Sequence, residues 1–194
     1  MLRGEFFPDV VGADTPEVTE VPAEEALTLE QAKLHLRVDG SADDELIEAA
    51  IVAAREALEK ELARPLLPQT CVVRLDEFPR ERILLWSDVS EVVSIKYTDP
   101  TGMAQQIDVA EVRLRRRAYI VPRNGWPKGE GVEITFRCGA FGSPDAVPES
   151  CCSWMKLMLG TLYEQRESDT AEQTYSLPGR FVAGLIDRYR NESL

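Results

Sequence analysis

The chain has 194 residues, 44% hydrophobic and 29% charged, the composition of one to one and a half soluble globular domains. Lys plus Arg total 22 against 34 Asp plus Glu, a net charge of −12 that opposes tight nucleic-acid binding, which calls for a basic surplus. No apolar run approaches the roughly 20 residues of a membrane span, and residues 1–7 meet an acid too early for a signal peptide, so neither membrane insertion nor secretion by that route is expected.

Residues 1–26 carry seven acids (Glu5, Asp9, Asp14, Glu17, Glu20, Glu24, Glu25) against Arg3. Pro8, Pro16 and Pro22 interrupt them and no period emerges, which reads as an extended arm or a disordered tail. Its one sticky spot is Phe6-Phe7, and it either has no role or docks on a neighbour. Thr28-Leu29-Glu30-Gln31 is a capping box opening a short helix that stops near Asp39-Gly40. Ser41-Ala42-Asp43-Asp44, a weaker box, opens a longer helix over 42–62. Its stripe is Ile47, Ala50, Ile51, Ala54, Leu58 and Leu62, while Glu48, Glu56 and Glu59 face away from it. Pro65 and Pro68 end the run.

From about 69 to 138 the period becomes two: Cys71, Val73, Leu75; Val93, Ile95, Tyr97; Val132, Ile134, Phe136. These predict half-buried antiparallel strands, with a turn at Asp99-Pro100-Thr101-Gly102 and another near Asn124-Gly125. A third helix is predicted over 148–166 with Trp154, Leu157, Met158 and Leu162 as its apolar stripe, packed on helix 42–62. A polar stretch over 167–176 and a short last helix over 178–190 follow. The predicted fold class is α+β: a small helical bundle, 27–68 with 144–194, carrying an inserted antiparallel sheet region at 69–143, after an arm at 1–26.

Motifs for chemistry are missing. There is no phosphate loop and no Gly-x-Ser-x-Gly elbow, and His35, the single histidine, sits in a short helix between Leu34 and Leu36. Cys71, Cys138, Cys151 and Cys152 include no Cys-x-x-Cys pair and are expected to be reduced, partly buried thiols rather than zinc ligands. Asp39, Asp43, Asp44 and Glu45 lack the alternate spacing of a calcium loop and read as helix-capping carboxylates. No catalytic, cofactor-binding or metal residue is therefore expected, and the chain is not read as an enzyme.

The exception to the acidic character is Arg113-Leu114-Arg115-Arg116-Arg117. Residues 110–137 hold seven bases and three acids, a net of +4, which leaves −16 on the rest. On a strand, Arg113, Arg115 and Arg117 would project to one face. Three readings stand open: a solvated sheet face, an interface for an acidic surface such as a neighbour's acidic helix, and phosphate contact. The candidate interface residues are Arg113, Arg115, Arg117, Glu48, Glu56 and Glu59; unlike poles of this kind suit head-to-tail association.

The segment Leu27-Thr-Leu-Glu-Gln-Ala-Lys-Leu-His-Leu-Arg-Val-Asp39 resembles the start of phage head–tail connector proteins. The resemblance continues through Asp43-Asp44-Glu45-Leu46-Ile47, Ala53-Ala54-Arg55-Glu56 and Ala63-Arg64-Pro65-Leu66-Leu67-Pro68-Gln69-Thr70. It resumes at Val147-Pro148-Glu149, Leu159-Gly160-Thr161-Leu162-Tyr163-Glu164-Gln165-Arg166-Glu167 and Leu185-Ile186-Asp187-Arg188-Tyr189-Arg190, so that it spans about 27–190. It is similar to the branch with a β insertion between the helices. What the resemblance implies is a non-enzymatic head-completion adaptor of a tailed phage, prophage or gene-transfer particle, produced in the bacterial host cytoplasm and placed at the virion head–tail junction. Its implied partners are further copies in a ring, the portal protein, and a downstream connector, stopper or tail protein. DNA would pass through the channel without sequence-specific binding, and no cofactor or membrane is involved. The alternative is a nucleic-acid-binding DNA-packaging factor of the small-terminase kind. That reading needs a basic recognition helix, whereas helix 42–62 has seven acids against Arg55 and Lys60.

Overall fold

The structure, a computed structural model, describes residues 16–164 and 184–190. They divide into two compact units, one helical (22–67, 141–164 and 184–190) and one of strands (16–21 and 68–140).

In the helical unit, α1 (Leu29–Leu36) opens with the capping box read from the sequence: Gln31 N–H donates to Thr28 Oγ1 at 3.2 Å and Thr28 N–H to Gln31 Oε1 at 3.0 Å. α2 (Asp44–Leu62) ends at Ala63 in the left-handed region, whose N–H turns back to the carbonyls of Glu59 and Lys60. α2 packs on α3 (Glu149–Glu164), as the apolar stripes require. Ile47, Ile51, Ala54, Leu58 and Leu62 of α2 join Trp154, Met155 and Leu159 of α3 in one core.

The register of α3 differs from the expected stripe. Its buried face is Cys151, Cys152, Trp154, Met155 and Leu159, while Leu157 is only half-buried and Leu162 is exposed. The two cysteines serve as small core residues, and seating them against the bundle rotates Leu162 to the outside. The polar stretch at 167–176 and most of the helix expected over 178–190 lie outside the described residues. Within 184–190 the chain forms a 3₁₀ turn, Asp187–Tyr189, and seats Ile186 fully in the core.

The second unit is two antiparallel sheets around one core. The larger has the order β1 (Glu17–Glu20), β2 (Gln69–Glu77), β8 (Glu130–Cys138), β4 (Val89–Thr98), β5 (Ala104–Ile107). The smaller runs β3 (Ile83–Leu84), β7 (Tyr119–Pro122), β6 (Val112–Arg115). The period-two residues Cys71, Val73, Leu75, Val132, Ile134 and Phe136 face inward and meet Ile83, Val112 and Ile120 of the smaller sheet. One parity fails. Val92 pairs with Phe136 and Ser94 with Thr135, an irregularity that inserts one residue, so Val93 points out although Ile95 is fully buried.

Part of the segment read as an arm or tail is also a strand. β1 pairs with β2 through Glu17–Val72, Val18–Cys71 and Glu20–Thr70. Thr70 donates its hydroxyl to Glu20 at 2.6 Å, and Arg74 pairs with Glu17. A charged sequence with little apolar content forms a strand here because its partners come from β2, not from its own period.

Candidate functional site

The arginine run is built around a hairpin. β6 pairs with β7 in the register Arg113–Val121, Leu114–Ile120, Arg115–Tyr119. Leu114 and Ile120 face the core, so Arg113, Arg115, Tyr119 and Val121 share the outer face. Across β7, Leu84 pairs with Tyr119, and Arg82 places its guanidinium 5.1 Å from the Tyr119 ring centroid. Arg113, Arg115 and Arg116 are exposed and, among the described residues, make no ion pair.

Arg117 does not join that face, contrary to the expectation that three alternate arginines project together. Arg116 and Arg117 lie in the left-handed region at φ 49° and 52°, where the chain turns from β6 into β7, and Ala118 N–H donates to Arg115 C=O at 3.0 Å. A tight hairpin needs positive φ at its tip to match the strand twist, so the run is strand up to Arg115 and turn beyond it. The Arg117 guanidinium reaches the carbonyls of Asp88 and Gly139 at 3.4 and 3.3 Å, and its carbonyl accepts from Val89 N–H at 2.8 Å. It positions the hairpin.

On α2, Glu48 and Glu56 are exposed as expected. Glu59 is not: it is 6% exposed, and one helical turn from Arg55 it forms a buried pair at 2.9 Å. Its other oxygen accepts Leu66 N–H at 2.7 Å, while Arg55 Nε is shared by both oxygens of Glu25 at 3.1 and 2.9 Å. Burial pushes the Glu59 carboxyl up from its ordinary range, opposed by the Leu66 N–H and Arg55. This network fixes the chain on both sides of α2. The helical wheel placed Glu59 outside because it takes no account of the 63–67 turn folding over it.

The Asp43 cluster also differs in detail. Asp43 sits at the N-cap position but makes no capping bond; instead Tyr163 of α3 donates its hydroxyl to Asp43 Oδ2 at 2.5 Å, and Lys33 of α1 pairs with Asp44 at 2.6 Å. The cluster ties three helices together. Among the described residues no group of His, Cys, Asp and Glu is placed to hold a metal ion. No described helix is long and apolar enough to cross a membrane. His35 is exposed on α1. All four cysteines are buried as thiols; Cys71 and Cys138 bring their sulfurs to 3.5 Å, and burial pushes the Cys151 thiol up to about 11.

Residues 26–115 match the profile of the family described as phage gp6-like head-tail connector protein. No curated protein matches the chain. Among solved structures, a chain in the neck of an empty gene transfer agent particle, computed with C6 symmetry, superposes with a TM-score of 0.70 at 23% identity, covering 91% of this chain and 96% of that one. A chain of the virion of the native gene transfer agent gives 0.71 at 23% identity, over 93% of this chain and 97% of the other. A chain in the neck of the native particle, computed with C12 symmetry, gives 0.64 at 24% identity, over 91% and 96%. These matches lend no support to a packaging-factor reading. The resemblance read in the sequence is thus borne out: residues 26–115 match the gp6-like head–tail connector model, on an α+β fold shared with chains of gene transfer agent particles.

Proposed function

We propose that this protein is a structural, non-enzymatic connector of the head–tail junction of a phage, prophage or gene-transfer particle. Copies form a ring beneath the portal, extend the DNA channel, and present a docking surface to the next connector or tail component. The observation that carries the reading is the family match over 26–115 together with a shared fold along more than nine-tenths of the chain. The charge distribution supports it: a net of −12 keeps passing DNA from adhering, while the exposed arginines of β6 and the exposed Glu48 and Glu56 of α2 offer unlike surfaces for two neighbours. Arg117, being tied to Asp88 and Gly139, serves that surface by holding the hairpin in shape.

Co-sedimentation with purified portal protein tests the proposal. The parent should co-sediment, and Arg113→Glu/Arg115→Glu should weaken the association most at low salt, with an unchanged circular dichroism spectrum. Absence of co-sedimentation at every salt concentration would count against the connector reading. Tight, salt-dependent retention on DNA would favour the packaging-factor reading instead.

A further inference from the structure

The outer face of the smaller sheet is a built amphipathic surface. Half-buried Leu84, Tyr119 and Val121 form its floor, and Arg82, Arg113 and Arg115 stand around them. β6 is an end strand of that sheet, paired among the described residues with β7 alone, and its Val112 N–H is taken by Val109 C=O. Its second edge therefore offers backbone donors and acceptors to an extended segment, the arrangement used in strand addition. A ligand for such a face must be extended, anionic, and able to place aromatic or aliphatic groups against the Tyr119 floor.

We propose that this face binds residues 1–15 of a neighbouring copy, with Glu5 and Asp9 against the arginines and Phe7, which shares their side of an extended segment, on the floor around Tyr119. The inference rests on the ring proposed above and names the contact that joins its members. Three observations carry it. The segment has Glu5, Asp9 and Asp14 against one base, Arg3, whereas the face holds three arginines of which Arg113 and Arg115 have no acidic partner among the described residues. Its acids flank an aromatic pair, and a position before proline, as Phe7 is before Pro8, disfavours the helical region. It lies outside the described residues and joins the fold at β1, the edge strand of the larger sheet. Fifteen extended residues reach about 50 Å, enough to span one small domain and meet the next. An exchange of this kind uses a different surface on each side of every copy, as ring closure requires.

The test uses a peptide of residues 1–15, labelled at its last residue, titrated with the full chain by fluorescence anisotropy at low salt. Saturable binding is expected. Arg113→Glu/Arg115→Glu should weaken it about tenfold or more with an unchanged melting temperature, and a Glu5→Lys/Asp9→Lys peptide should recover binding to that variant. A milder Arg113→Gln/Arg115→Gln protein should fall between the two, which guards against a folding defect in the charge-reversed form. Equal binding to parent and charge-reversed protein overturns the proposal, as does absence of binding to both the full chain and a chain lacking 1–15. Binding seen only after removal of 1–15, from a full chain that is monomeric at the concentration used, makes the chain's own segment the occupant and overturns exchange between copies. The portal experiment is read independently, so a peptide that binds neither the parent nor the chain lacking 1–15, while the parent still co-sediments with portal protein, refutes this contact alone.

Discussion

Removing the carboxylate of Glu59 tests whether the α2 network supports the helical unit. Glu59→Ala deletes the 2.9 Å partner of Arg55, which has only 3% of its side chain exposed, and the 2.7 Å acceptor of Leu66 N–H. A buried donor left unmet costs about 1–3 kcal/mol, and breaking one side of a buried ion pair about 3–5 kcal/mol in all. Glu25 still holds Arg55 Nε, so the expected loss is near the lower end, about 3 kcal/mol. Glu59→Gln keeps an acceptor for Leu66 and should lose less, about 1–2 kcal/mol. Urea unfolding followed by helical circular dichroism gives both values, with constant m as the check that only stability has changed.

The same pair of proteins gives a pH test whose sign is fixed by burial. The folded Glu59 pKa is raised, so the folded state holds its proton more tightly than the unfolded chain. The stability of the parent relative to Glu59→Gln should therefore be greatest below the unfolded value of 4.5 and decline as pH rises through the folded pKa. An alanine variant as stable as the glutamine variant would refute the reasoning, as would a parent-minus-Gln difference that grows with pH.

Two further outcomes are expected in the strand unit. Gly129→Ala places a Cβ 2.6 Å from Thr98 O and against the edge of the Tyr97 ring, so a backbone oxygen must move; calorimetry should show a loss of about 1–3 kcal/mol, and an unchanged melting temperature would contradict the close approach. Asp99 accepts from the Thr101 hydroxyl, Gln105 Nε2, and the Met103 and Thr101 N–H groups, which hold its pKa down to about 2 against an ordinary 3.8. The advantage of the parent over Asp99→Asn should thus be present above pH 3.8, shrink as pH falls towards 2, and be read by NMR titration of the turn amides.

What could be read from the residues was what local rules decide. The Thr28 box needs only residues 28 and 31, and the stripe of α2 repeats over 19 residues, enough turns to fix its phase. α3 is 16 residues long with Trp154, Met155, Leu157, Met158, Leu159 and Leu162 spread widely around it, so several phases looked equally apolar. Its true phase is set by two cysteines that a hydropathy stripe undervalues. Val93 was misplaced because a bulge changes the count of residues between Val92 and Ile95, and no glycine marks it. The hairpin tip was hidden for a similar reason: positive φ usually announces itself as Asn-Gly or Asp-Gly, and here it falls on Arg116-Arg117. Among the candidate interface residues, Arg113, Arg115, Glu48 and Glu56 are where a strand or helix period puts them. Arg117 and Glu59 are held by chain segments 22–29 and 7 residues away, beyond any local pattern.

In the proposed ring, β1 governs which edges copies can offer one another. All four of its residues are exposed, yet it lies along β2, whose first five residues are buried. Without it, β2 would offer a long, largely apolar rim with open hydrogen-bonding groups, the template on which sheets of separate molecules fuse without limit. Glu20 and Glu17, the latter paired with Arg74, make the replacement rim charged rather than apolar, which discourages two such edges from pairing when many copies crowd together. An oligomer with a definite number of members needs that kind of refusal as much as it needs a good contact, because growth in an unplanned direction never closes. A proteolytic cut between Glu20 and Pro22 that released the strand would therefore be expected to promote aggregation while leaving the helical unit untouched.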